Sequence, residues 1–131
     1  MQLLDHVSIT VRDLERAKPF YAAVMAALGA TVASERPGAV GFGTRNRCDD
    51  DQHTYLSIFE SPAATSDPRR HWCFRAASAD RVDAFYEAGL AAGGRGDGEP
   101  GIRDYHSGYY AAFLIDPDGN RIEAVYHRGE S

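Results

Sequence analysis

A pattern that occurs twice is the strongest constraint on the fold of this 131-residue chain. In residues 6–11, HVSITV, polar and apolar side chains alternate, which is the period of a strand buried on one face. Residues 71–76, HWCFRA, repeat this design, because a histidine again opens the polar series and the apolar side chains lie on the other face. A shift of 65 residues superposes the two halves and pairs four larger or turn-forming residues: His6 with His71, Phe20 with Phe85, Tyr21 with Tyr86, and Gly29 with Gly94. The repetition predicts two related modules.

Each half of the chain contains one helical pattern among several strand patterns. The spacing of apolar residues predicts a helix from an N-cap at Asp13 to about Leu28, and a second helix over residues 79–92. The remaining strands are predicted at residues 31–33, 39–43, 53–60, 109–115 and 121–126. A further strand near residues 95–103 has a weaker pattern.

Two connecting segments complete this organisation. Residues 116–120, DPDGN, predict the turn of a hairpin. Residues 61–70 begin with small, polar and proline residues, which is typical of a linker. We expect an α+β fold in a single domain, residues 1–131, with βαβββ modules at residues 1–60 and 71–131.

Composition limits the partners and the compartment. The net charge of −5 argues against nucleic acid or an anionic membrane surface, since either partner would favour a basic patch. The longest near-apolar stretch, residues 21–33, is too short to span a bilayer. Two cysteines, Cys48 and Cys73, do not make a disulfide framework, and the first residues lack the pattern of a signal peptide. We therefore expect a reduced, cytoplasmic setting.

Three residues on the polar faces of predicted strands suggest a metal site. If the apolar faces cover helices, the polar faces line a common concave surface that holds His6, His71 and Glu123. Two neutral imidazoles and one carboxylate suit a divalent metal ion with open coordination positions, such as Fe, Mn, Zn, Ni or Co. A substrate could then bind the metal through two oxygens, and the metal would stabilise charge on an enolate or catecholate.

The chain resembles the vicinal oxygen chelate superfamily, which includes glyoxalase I, bleomycin- and fosfomycin-resistance proteins and extradiol dioxygenases. The resemblance rests on His6 with the following Phe20-Tyr21 helix, on His71, and on residues 116–123, DPDGNRIE. It implies that paired βαβββ modules form a U-shaped mixed sheet around a metal or ligand site. It also places His6, His71 and Glu123 at the positions of the family's metal ligands, and it implies a homodimer. The short linker at residues 61–70 is compatible with a site within one chain and with a site across the dimer.

Members of the family differ in their site residues, so the resemblance leaves the reaction open. Glyoxalase I adds a fourth, acidic ligand from the first module, and alignment of the modules places Ser57 there. Extradiol dioxygenases carry a tyrosine about ten residues before the glutamate, where this chain has Phe113. Bleomycin-resistance proteins bind a ligand without metal in a cleft between two chains. We therefore expect a glyoxalase-like lyase or isomerase or a dioxygenase, with a metal-free binding protein as the alternative.

Other residues near the predicted site are expected to serve in packing. A chemical role is the alternative for each of them. Tyr105, His106 and Tyr109 are expected to pack in a turn and a strand, and a lid or a proton relay is the alternative. Cys73 is expected to face the cavity beside His71, as a small buried residue or a redox-sensitive thiol.

Overall fold

The computed structural model describes residues 2–129, which form two helices and eight strands. Each half has the order strand, helix, strand, strand, strand, so the predicted α+β fold of two βαβββ modules is confirmed. The elements of the first module are β1 (His6–Val11), α1 (Leu14–Ala27), β2 (Val32–Arg36), β3 (Ala39–Gly43) and β4 (Tyr55–Glu60). The elements of the second module are β5 (His71–Arg75), α2 (Ala79–Ala91), β6 (Arg95–Ile102), β7 (Tyr109–Ile115) and β8 (Arg121–His127).

Local sequence signals explain where the elements begin and end. The Asp13 side chain accepts a hydrogen bond from the backbone N–H of Arg16, so Asp13 is the N-cap of α1 as predicted. Strand β2 extends beyond its predicted end because residues 34–36 pair with β3 across a tight turn at Gly38. The weakly marked strand, β6, is rich in glycine, and its pairing with β7 shifts register at Gly98 and Gly101.

The strands form two four-stranded mixed sheets, in the orders β1-β4-β3-β2 and β5-β8-β7-β6. In each sheet the first and last strands of the module are parallel neighbours, and the other pairs are antiparallel. The first strand of each module, β1 or β5, is therefore an edge strand. A cavity of about 780 Å³ lies between these two edges and is lined by residues of both strands, including Val7 and Trp72. Within residues 2–129, no ladder of hydrogen bonds joins the two sheets.

The hydrophobic core is shared by both modules. Helix α1 packs against α2, and the apolar faces of both sheets pack against these helices. Gly89 of α2 permits this close approach, since a β-carbon there would lie 2.4 Å from Leu114 and 3.2 Å from Phe20. Because both apolar faces turn toward the same helical layer, the polar face of each sheet turns away from it. Neither helix in the described part of the chain is long and apolar enough to cross a membrane.

The turn at residues 116–120 joins the two modules as well as two strands. The Asp116 carboxylate is 1% exposed and accepts a 2.5 Å hydrogen bond from the Tyr21 hydroxyl of α1. It also accepts hydrogen bonds from the Asp118 and Asn120 backbone N–H groups and from the Asn120 side chain. The Asn120 amide donates in addition to the backbone oxygen of Thr10 in β1. Burial, followed by the Asp116 charge, raises the pKa of Tyr21 well above its usual value, so the phenol stays a donor.

We expect Tyr21→Phe to lower the free energy of unfolding by about 1.5–3 kcal/mol, because a buried carboxylate loses a hydrogen bond. Urea titrations followed by circular dichroism measure this change. Tyr86→Phe is the matched control, since Tyr86 occupies the equivalent position of the second module and is only partly buried. We expect the control to change the free energy by less than about 0.5 kcal/mol. Equal losses in the two variants would contradict the bridging role of Tyr21.

Candidate metal centre

His71 and Glu123 lie together on the polar face of the second sheet. The parallel register of β5 and β8 places Cys73 opposite Glu123 and His71 opposite Arg121. Since Ile122 and Ala124 belong to the shared core, alternation directs Glu123 to the other face. The His71 Nε2 lies 3.4 Å from the Glu123 Oε1. The Glu123 side chain is 4% exposed and that of His71 is 51% exposed, so a buried carboxylate lies beneath an accessible imidazole.

Tyr109 holds the second oxygen of this carboxylate. Its hydroxyl donates a hydrogen bond to the Glu123 Oε2, and its ring packs against Tyr105, His106 and His127. Burial, followed by the hydrogen bond to Glu123, raises the pKa of Tyr109 above its usual value. The phenol therefore stays protonated near neutral pH and orients Glu123, in addition to packing in its strand.

The sequence did not lead us to the contact between Tyr109 and Glu123, because we looked for a tyrosine at a fixed number of residues before the glutamate. That count led to Phe113, which pairs directly with Glu123 in the ladder of β7 and β8. Tyr109 precedes Phe113 by an even number of residues, so both side chains share the face of Glu123. This even spacing is the sequence feature that could have predicted the contact. A long side chain can reach along the strand to a residue that it does not pair with.

His6 lies on the polar face of the first sheet, at the start of β1. Its side chain is 63% exposed, and its Nδ1 lies 2.7 Å from the Asp5 Oδ2. In the part of the chain that the structure describes, no group of three or more His, Cys, Asp and Glu residues is placed to hold a metal. A single chain therefore brings together His71 and Glu123, but it does not bring His6 to them.

The first module offers a hydroxyl where the second offers a carboxylate. Ser57 pairs with Ser8 of β1 and with Gly41 of β3, and all three lie on the polar face of the first sheet. The nearby acid, Glu60, accepts a 2.8 Å hydrogen bond from the backbone N–H of Leu14 at the start of α1. Glu60 thus has a structural partner on the helical side, in agreement with the alternation of β4.

Basic side chains border the polar face around Glu123. Arg121 forms an ion pair with Asp97 at 2.5 Å, so its charge is compensated locally. Arg103 lies over the ring of Phe113 at 5.3 Å, and Arg75 is exposed on β5. Neither Arg75 nor Arg103 forms an ion pair with a carboxylate within residues 2–129. This border suits an anionic or oxygen-rich small molecule.

Comparison with known proteins agrees with the fold. The family model of the Glyoxalase/Bleomycin resistance protein/Dioxygenase superfamily matches residues 3–124. The chain therefore belongs to that superfamily. A search of curated proteins gave no match.

Solved structures resemble the chain over nearly its whole length. A glyoxalase/bleomycin resistance protein from Albidiferax ferrireducens is 32% identical, with a TM-score of 0.79 over 95% of this chain and 98% of that chain. A glyoxalase/bleomycin resistance protein/dioxygenase family enzyme from Burkholderia phytofirmans is 20% identical, with a TM-score of 0.69 over 95% and 98%. A fosfomycin resistance protein from Listeria monocytogenes is 17% identical, with a TM-score of 0.68 over 98% and 95%. The last two likenesses concern the fold alone.

The environment of Cys73 leads to a prediction about thiol reactivity. Cys73 is an exposed residue, not a buried one as expected. Partial desolvation of its thiol, followed by the Glu123 charge, nevertheless raises the pKa of Cys73 to about 12. Because the thiolate is the nucleophile, we expect its alkylation rate in metal-free protein to rise about tenfold per pH unit between about pH 8 and 11. Mass spectrometry of iodoacetamide-labelled peptides measures this rate.

Two variants test whether Glu123 causes the shift. Glu123→Gln removes the charge that opposes the thiolate, so we expect Cys73 to react faster at pH 8. Asp97→Asn is the matched control, because Asp97 lies on the same sheet but pairs with Arg121. Equal rates in Glu123→Gln and the parent protein would show that the charge is not felt at the sulfur.

Proposed function

We propose that this protein is a divalent-metal-dependent enzyme that acts on a small oxygenated metabolite through coordination by two substrate oxygens. His71 and Glu123 of one copy and His6 of a second copy in a homodimer would hold the metal. The observation that carries the proposal is the 3.4 Å approach of the His71 Nε2 to the buried Glu123 Oε1. Both cysteines are free, which is consistent with the reducing cytoplasm that we propose as its location.

The donor atoms fit such an ion. A buried carboxylate is costly unless hydrogen bonds or a cation compensate its charge. The Glu123 Oε2 accepts a hydrogen bond from the Tyr109 hydroxyl, and the Oε1 faces the accessible His71 imidazole. The His71 nitrogen and the Glu123 oxygen therefore already lie together as potential metal ligands. Two histidines and one carboxylate suit Fe, Mn, Zn, Ni or Co and leave positions open for a substrate.

The edge strands support completion of the site by a second copy. His6 and His71 open the edge strands β1 and β5 at equivalent positions of the repeat. Exposed edges are surfaces on which another chain can align. If β1 of one copy lies beside β5 of the other, two four-stranded sheets form one cupped surface, and His6 comes next to His71 and Glu123. A two-fold axis then generates two such sites.

The chain's own residues restrict the chemistry. When bound, the metal would supply a Lewis acid that stabilises an enolate or catecholate. Tyr109 keeps its proton on Oη and orients Glu123, while Arg75 and Arg103 attract an oxygen-rich substrate. Ser57 cannot act as a carboxylate base. The residues therefore favour a reaction that needs no second carboxylate from the first module.

Metal content tests the proposal most simply. We expect purified protein to bind about one Co²⁺ or Zn²⁺ ion per chain, measured by isothermal titration and elemental analysis. His6→Ala, His71→Ala and Glu123→Gln should each weaken binding by more than the roughly 10- to 100-fold loss caused by removing an outer partner. Glu35→Gln is the control, because Glu35 is an exposed carboxylate of β2 that pairs with Lys18. Parent-like affinity in all three ligand variants would refute the metal site.

Two assays distinguish the reaction types. Oxygen uptake with catechols and Fe²⁺ reports dioxygenase activity. Loss of the methylglyoxal–glutathione hemithioacetal with Ni²⁺ or Zn²⁺ reports glyoxalase-type activity. Because Ser57 replaces the fourth ligand, we expect the second assay to show no turnover, and clear turnover there would overturn this reading of Ser57.

A metal-free ligand-binding protein is the second candidate. The observation that favours it is that only His71 and Glu123 of the three proposed ligands meet within one chain. An unchanged dimer that binds no metal would favour this candidate.

A further inference from the structure

The residue before His6 forms a hydrogen-bonded chain with a distant loop. The Asp5 Oδ2 lies 2.7 Å from the His6 Nδ1, and the Asp5 Oδ1 accepts a 2.8 Å hydrogen bond from the Asn46 side chain. Both carboxylate oxygens are therefore in use. The backbone oxygen of Asp5 accepts a hydrogen bond from the Tyr55 N–H, which fixes Asp5 beside β4.

Asn46 is itself held in one orientation. Its Nδ2 donates to the backbone oxygen of His53 at 2.6 Å, and its Oδ1 accepts from the His53 N–H at 2.8 Å. Since the Asn46 amide is fixed at both ends, its remaining hydrogen points to Asp5. The order Asn46, Asp5, His6 thus runs from a braced loop to an exposed imidazole.

The hydrogen bonds that link Asn46, Asp5 and His6 determine which imidazole nitrogen of His6 is free. An ionised carboxylate only accepts hydrogen bonds, so the neutral His6 ring must carry its hydrogen on Nδ1. The Nε2 then keeps its lone pair and faces away from Asp5. Carboxylates play this part toward metal-binding histidines, where they fix both the tautomer and the orientation of the ring.

The second module lacks this arrangement. The shift of 65 residues places Arg70 at the position of Asp5, and Arg70 donates to the backbone oxygen of Thr65. His71 instead has Glu123 within 3.4 Å of its Nε2. A carboxylate therefore precedes His6, which has no other proposed ligand beside it in its own chain. No carboxylate precedes His71, which lies beside Glu123.

We infer that Asp5 and Asn46 are positioning residues that hold the His6 Nε2 ready to bind a divalent cation at the shared site. The inference rests on the proposed function, because the cation site needs His71 and Glu123 of a second copy. Without Asp5, the exposed His6 ring would populate other rotamers and the other tautomer, and this freedom would be lost on binding.

A test on metal-free protein separates the inference from the proposed function. Long-range ¹H–¹⁵N spectra of histidine-labelled protein report the tautomer of the His6 ring. We expect the Nδ1–H form to predominate in the parent and to decrease in Asp5→Ala, with a smaller decrease in Asn46→Ala. Asp51→Ala is the control, since Asp51 is an exposed carboxylate of the same loop that accepts from Gln52.

Zinc titrations of the same variants provide the second readout. We expect Asp5→Ala to bind Zn²⁺ about 10- to 100-fold more weakly, Asn46→Ala to lose less, and Asp51→Ala to match the parent. If the parent binds zinc but Asp5→Ala changes neither the tautomer nor the affinity, the inference is overturned. If the parent binds no zinc at all, the proposed metal site itself fails. Thermal unfolding of each variant confirms that the fold is retained.

Discussion

The buried hydrogen bond between Tyr21 and Asp116 is the interaction on which the arrangement of the two modules depends. A carboxylate that is 1% exposed is tolerated only when its oxygens are satisfied, and here one donor comes from the first module and three from the turn of the second. The contact fixes α1 against the second module. Helices α1 and α2 then form one layer, and both sheets use it to bury their apolar faces.

This shared core determines what a single chain can build. Each sheet presents its polar face away from the helices, so Glu123 and His71 meet on one face while His6 lies on another. Each module also has an edge strand that begins with one of the two histidines. A metal site that uses all three residues therefore calls for a second copy. The same logic explains why Asp5 and Asn46 brace His6, since no other proposed ligand lies beside it within one chain.

Local rules predicted most of the secondary structure and one part of the site. Alternation located β1, β5 and β8, and it placed His71 and Glu123 on the same kind of face, where the parallel register brought them together. Periodicity shows which face of a strand is apolar, but not which helix covers it. It therefore could not predict how the three proposed ligands are divided between the two polar faces. Asp116 was assigned only to a turn, because its burial depends on Tyr21, a residue far away in the sequence.

The most direct test of the account is a mixed dimer of His6→Ala and Glu123→Gln chains carrying different affinity tags. If each site combines His6 of one copy with His71 and Glu123 of the other, one site of the mixed dimer lacks both residues and the other keeps all three. Co-expression, tandem purification and zinc analysis should then give one Zn²⁺ ion per mixed dimer, while each homodimer of variants binds weakly. Zinc binding in the mixed dimer no tighter than in the variant homodimers would contradict a site shared between two copies.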